Sequence, residues 1–162
     1  MAGFSITVDG MQQLEGKLDK LQEKALEVAA LGLYEGAGVM ADKVSQAVQG
    51  IATEPFKYAK GGRKRKASPE EKAIVAGAKH GVAKFRKTGI SVETSIGYKN
   101  SGYASLGGKT KPVPLIANSI NSGTSFMEKQ PFLRKAFSQG KSAAKAATEN
   151  GIKSRLDELN LD

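Results

Sequence analysis

Proline and glycine divide the stretch Pro112–Phe137, P-V-P-L-I-A-N-S-I-N-S-G-T-S-F-M-E-K-Q-P-F-L-R-K-A-F, into pieces with few ways to fold. Pro114 suits the first turn of a helix, where its missing N–H has no internal partner anyway. Gly123 is expected to close that helix in the left-handed C′ position. A polar hinge follows, and Pro131 restarts a helix with Leu133, Ala136 and Phe137 on one face. Leu115, Ile116, Leu133 and Phe137 are therefore the expected core anchors of two helices meeting at a hinge.

The remaining chain reads as α+β. Phe4, Ile6 and Val8 alternate with polar residues as a short strand, ended by Asp9-Gly10. From Met11 the period changes. Leu14, Leu18, Leu21, Ala25 and Val28 step by four and three, as an amphipathic helix does, and the stripe continues through Leu31, Val39, Val44 and Val48 to Gly50. Glycines at 32, 36 and 38 each cost such a helix roughly 1 kcal/mol against alanine. Either the helix kinks there, or Ala29, Gly32 and Gly36 let another backbone come close, in a helix–sheet contact of the core or in a subunit contact. Ser68-Pro69-Glu70-Glu71 is a helix start with a capping box, opening a helix over about 69–80. Ile90, Val92, Thr94, Ile96 and Tyr98 alternate with small or polar residues, which predicts one strand with Ile90, Val92 and Ile96 facing the core. Residues 99–111 read as a loop. The last helix is expected to run from Pro131 to about Leu159, with Leu133, Phe137, Ala144, Ile152, Leu156 and Leu159 inward. The expected architecture is two long helices packed on a small, mostly antiparallel sheet, with a shorter helix and an extended basic loop. One domain over 1–162 is expected, with 52–88 as an excursion.

Composition removes most catalytic chemistries. Cysteine is absent, which excludes disulfides, thiolate metal sites and cysteine nucleophiles, and suits a reducing cytoplasm. The single histidine, His80, has no second histidine or cysteine for a metal cluster, so no metal or other cofactor is expected. Gly108-Lys109-Thr110 resembles the end of a phosphate-binding loop. However, Tyr103 stands where that loop needs glycine, and Lys111-Pro112 follows where it needs a helix. The carboxylates read as solvated helix faces, so no enzyme is expected. No run of 18 apolar residues could span a membrane, and the N-terminus lacks the basic and apolar regions of a signal peptide.

Charge is the loud feature. Residues 57–87 hold 11 Lys and Arg against Glu70 and Glu71, so the chain's whole net charge of +9 lies in that segment. Lys57, Lys60, Arg63, Lys64, Arg65 and Lys66 form its densest part, with Lys84, Arg86 and Lys87 further on. These are the candidate contacts to a partner or to DNA. Such clusters bind phosphates through counterion release, and Phe56, Tyr58 and Phe85 add rings for stacking. Three readings stand: a solvated loop, a contact with an acidic protein face, or direct DNA contact. Two glycines precede Arg63–Lys66 and no apolar residue is expected to anchor it, which predicts an untethered segment, mobile in the free protein. Order there would require a counter-charge.

L-I-A-N-S-I-N-S-G-T-S followed by Q-P-F-L-R-K-A resembles the head–tail joining or tail-completion proteins of long-tailed bacteriophages, the "gene product ten" family. Y-E-G-A-G-V-M-A-D-K-V at Tyr34–Val44, the S-P-E-E-K-A helix start and the strand G-I-S-V-E-T-S-I-G-Y extend the likeness over roughly Ala30–Gly140. Gly61–Lys66 is more basic than that pattern. The resemblance implies a non-enzymatic virion component of a siphophage neck, made in the host bacterial cytoplasm. It implies a ring of this chain around the DNA channel, next to other neck, connector, tail-tube or tail-terminator proteins, with the genome end in its lumen. Six-fold symmetry is expected from hexameric tail tubes, with twelve-fold at the portal side as the alternative. The other reading of the charge block is a stand-alone basic nucleic-acid-binding protein. It lacks a helix-turn-helix, RNA-recognition strand motif or zinc finger to support it.

Overall fold

A computed structural model describes residues 11–55, 62–78, 80–82, 86–88, 91–98 and 102–158. Phe4–Val8, Ile90, Leu159 and the candidate contacts Lys57, Lys60 and Lys84 lie outside these residues. Helix α1 spans Met11–Gln49 and α2 spans Pro69–Gly77. Four short strands follow: β1 (His80–Val82), β2 (Arg86–Thr88), β3 (Ser91–Glu93) and β4 (Ile96–Tyr98). A hairpin of β5 (Tyr103–Leu106) and β6 (Lys109–Pro112) leads into α3 (Val113–Ser122), and α4 (Phe132–Glu158) ends the described chain. The architecture is α+β and dominated by its two long helices.

The first helix runs without a stop through all three central glycines. The reason lies in α4, which packs antiparallel along it. A Cβ on Gly32 would lie 2.5 Å from Ile152 Cγ1 and 2.8 Å from the Thr148 carbonyl oxygen. One on Gly36 would strike the Thr148 hydroxyl and sit 2.6 Å from the Ala144 carbonyl oxygen. The small residues are reciprocal. A Cβ on Gly151 would meet Glu35 Oε2 at 2.6 Å, and one on Gly140 would meet Met40 Sδ at 2.9 Å. The close partner is thus another helix of the same chain, where a helix–sheet contact or a subunit contact was expected. Gly38 has no such neighbour within 4 Å.

The core lies at the other end of this helix pair. Val44, Val48 and Ile51 from the end of α1 meet Ala67, Val75 of α2, Ile116, Ala117 and Ile120 of α3, Met127, and Phe132 and Ala136 of α4. In α3 the buried positions are Val113, Ile116, Ala117 and Ile120, the spacing of a helix stripe. Leu115 falls off that stripe and is 55% exposed, so it is not a core anchor. In α4 the stripe is Phe132, Ala136 and Gly140, four residues apart. Leu133 is half-buried against the core, and Phe137 is 49% exposed, contrary to the inward position expected. Leu31 and Leu156 are likewise exposed, and Ala25 with them.

The hinge between these helices is held by side chains. Gly123 ends α3 with φ +76° and ψ 172°, outside the left-handed helical region expected but still a positive φ that favours glycine. Thr124 Oγ1 accepts the Met127 N–H at 3.0 Å, and Asn121 Oδ1 accepts the Leu133 N–H at the start of α4 at 3.1 Å. Gln130 ties the hinge to the end of α1, accepting the Ala52 N–H at 2.8 Å and donating to its carbonyl at 2.9 Å.

The strand expected over Ile90–Tyr98 is divided. Its first part pairs antiparallel with β2 (Lys87↔Val92) and its last part with β1 (Gly81↔Gly97). The two ladders differ in register by one residue: Val82 pairs with Ile96, and Arg86 pairs with Glu93. Val92 and Ile96 are half-buried where full burial was expected, and Tyr98 packs on the core. Residues 103–111, expected as loop, form with Pro112 the β5–β6 hairpin, turned at Gly107 (φ +59°) and Gly108 (φ +77°). Two central residues with positive φ match the turn that two-residue hairpins favour.

Candidate interaction surface

Residues 65–67 of the basic segment are tethered, and Arg63 and Arg65 meet carboxylates of their own chain. The Arg65 N–H donates to the Phe126 carbonyl at 2.9 Å, and the Glu128 N–H donates to the Arg65 carbonyl at 2.7 Å. On the other flank the Glu54 N–H donates to the Ala67 carbonyl at 2.9 Å. Glu54 Oε1 also accepts the Lys66 N–H at 2.8 Å. Residues 65–67 thus run between the end of α1 and the hinge, against the untethered state expected. Ala67 and Met127 anchor the crossing in the core.

The Arg65 side chain turns inward. Its Nη1 donates to Glu71 Oε2 at 2.7 Å and its Nη2 to Glu71 Oε1 at 2.6 Å, with both side chains over nine-tenths buried. Glu71 Oε2 accepts the Ser68 N–H as well, so one carboxylate closes the capping box of α2 and neutralises Arg65. Burial pushes the Glu71 carboxyl up. The Arg65 hydrogen bonds and charge and the Ser68 N–H outweigh burial and hold it below the usual carboxylate range. The same hydrogen bond to Glu71 raises Arg65. Phe126 covers the guanidinium, its ring centre 5.8 Å away. Arg65 Nε is buried with no hydrogen-bond partner among the described residues. Glu71 therefore departs from the solvated carboxylates that the sequence led us to expect.

The other candidate contacts divide. Arg63 is exposed, with Glu54 at 3.6 Å, and Lys64 is exposed. The Lys66 residue is half-buried. Arg86 and Lys87 are exposed on β2, in a different ladder. The apolar members of the surface were missed by sequence reasoning: Tyr103 is 73% exposed, Phe126 57%, Leu115 55% and Phe137 49%. The helical stripes in α3 and α4 carried the signal for Leu115 and Phe137. Phe126 is set outward by the Thr124 turn, a local geometry with no apolar period. A trough of about 250 Å³ runs between Arg65, Glu70, Leu106, Lys109 and Lys111, and continues past Lys111 to Leu115 and Phe126. Its polar walls and open form suit contact with another surface more than enclosure of a small molecule.

Among the described residues, no group of three or more His, Cys, Asp or Glu could hold a metal ion, and no helix is long and apolar enough to cross a membrane. No protein-family model, curated protein or solved structure matches this chain.

Proposed function

We propose that this chain is a non-enzymatic structural protein of the siphophage virion, forming a ring at the neck that completes the tail or joins it to the head. The observation that carries the reading is the Pro112–Phe137 segment. Its resemblance to the head–tail joining family coincides with a structural role for nearly every residue type in the pattern. Ile116, Ala117 and Ile120 of L-I-A-N-S-I are core, Gly123 of S-G-T-S makes the stop, Thr124 makes the turn, and Phe132 and Ala136 of Q-P-F-L-R-K-A are core. The pattern encodes a rigid corner, and the corner presents Leu115, Phe126 and Phe137 outward. Exposed apolar side chains on so charged a chain favour a protein-contacting role.

Negative-stain microscopy of the purified protein tests the proposal. Rings with a central hole, six-fold or twelve-fold, are the expected result. A monomer or dimer that binds duplex DNA at moderate salt would instead favour the stand-alone nucleic-acid-binding protein. That alternative is weakened because Arg65, at the centre of the charge block, is buried against Glu71.

A further inference from the structure

The antiparallel helix pair separates charge along its length. At one end, residues 19–36 of α1 and 149–158 of α4 carry seven carboxylates against four cations, a net charge of −3. At the other end, residues 62–72 and 103–135 carry ten cations against three carboxylates, a net charge of +7. From residue 31 to residue 49, α1 alone separates these ends by about 27 Å. Each end also exposes large apolar side chains. Leu31, Tyr34 and Leu156 lie at the acidic end, and Leu115 and Phe126 lie at the basic end. Both ends are grooved. A cleft of about 310 Å³ at the acidic end is lined by Glu27, Val28, Leu31 and Glu158, with Lys24 and Arg155. The basic end carries the trough between Lys109, Lys111, Leu115 and Phe126.

We infer that the acidic end of the α1–α4 pair of one copy docks on the Lys109–Lys111–Leu115–Phe126 trough of the next copy. The cleft itself pairs two carboxylates with two cations, but the ends around the two grooves differ in net sign, so like ends repel and unlike ends attract. A contact between two different patches of the same chain is heterologous, and it generates a ring where the rotation closes. Apolar residues in each groove supply the burial that fixes the register, and the charges select the partner and its polarity. The inference rests on the ring reading above and names the two faces that would build the ring.

Two variants test it, each placed on exposed residues so that the core is untouched. One is Leu31→Lys with Leu156→Lys, which spoils the acidic end. The other is Lys111→Glu with Leu115→Glu, which spoils the trough. Circular dichroism and thermal melting check that both fold. Light scattering after size exclusion then gives the mass. Each variant alone is expected to remain monomeric at concentrations where the unaltered chain assembles, a loss of more than about tenfold in affinity. Mixed in equal amounts, the two should form a heterodimer and nothing larger, because each keeps the one face the other has lost. The heterodimer should weaken as salt rises. Variants that assemble like the unaltered chain would overturn the inference and leave the ring reading standing. Loss of assembly in only one variant would point to a self-complementary contact and also overturn it. An unaltered chain that stays monomeric at every concentration, with no rings by microscopy, would defeat both readings.

Discussion

At the scale of single residues, Arg65 shows how far a basic cluster departs from a set of equivalent cations. Its neighbours Arg63 and Lys64 are exposed, while Arg65 is paired with Glu71 inside the chain. Breaking such a pair leaves a buried charge uncompensated, and typically costs about 3–5 kcal/mol. Arg65→Ala should therefore destabilise the fold by about that amount in urea unfolding, whereas Arg65→Met with Glu71→Leu should cost much less. The pair also sets an acid limit. The folded-state pKa of Glu71 is depressed, so its stabilisation is complete above the unfolded carboxylate value of about 4.3 and is lost as pH falls through the lower folded value. In Glu71→Gln that part of the acid dependence should vanish; an unchanged acid limb would place the titration elsewhere. The capping box was legible in S-P-E-E because its partners are three residues apart. The Arg65 contact was not, because it depends on the Met127 crossing, about sixty residues away in sequence.

At the scale of elements, the helices were legible and their inward faces less so. Periodicity located α1, the capping box located α2, proline and glycine bounded α3, and Pro131 marked the start of α4. The orientation of α4 turned on whether Phe132 or Leu133 leads its stripe, one residue that rotates a helix by about 100°. Phe132 is 4% exposed and Phe137 49%. Phe132→Ala should cost about 3–5 kcal/mol, and Phe137→Ala under about 1 kcal/mol, by equilibrium unfolding of the monomer. The reverse order would mean that α4 packs on its other face. The β5–β6 hairpin was missed because K-T-K-P has no apolar alternation, although the Gly107-Gly108 pair is a turn signal. The helix glycines make a sharper test. Gly36 faces the Ala144 carbonyl, which cannot move aside without moving α4, so Gly36→Ala should destabilise by about 1–3 kcal/mol. Gly38 faces nothing within 4 Å, so Gly38→Ala should stabilise by about 0.5–1 kcal/mol through helix propensity alone. Thermal melts of the two variants should move in opposite directions.

At the scale of the whole molecule, sequence placed all the excess charge in residues 57–87, while the fold redistributes its meaning. Arg65 is neutralised within the chain, and Lys109, Lys111, Lys129, Arg134 and Lys135 join the same end of the helix pair from later in the sequence. A test of the basic segment must respect this division. Neutralising Arg65 would unfold the crossing and lose function for a trivial reason, so the informative variant is Arg63→Gln with Lys64→Gln. Both side chains are exposed, and surface changes of this kind usually shift stability by less than about 0.5 kcal/mol. The melting temperature should be nearly unchanged. If the chain acts at a phage neck with these cations against an acidic neighbour, lysates carrying the variant should accumulate filled heads and separate tails. If the cations face the lumen, joined particles should form and then leak DNA. Joining and infectivity equal to the unaltered phage would reduce Arg63 and Lys64 to solvated charges. The interaction surface would then be confined to Lys109, Lys111, Leu115 and Phe126, which the fold gathers from a hairpin, a helix and a hinge.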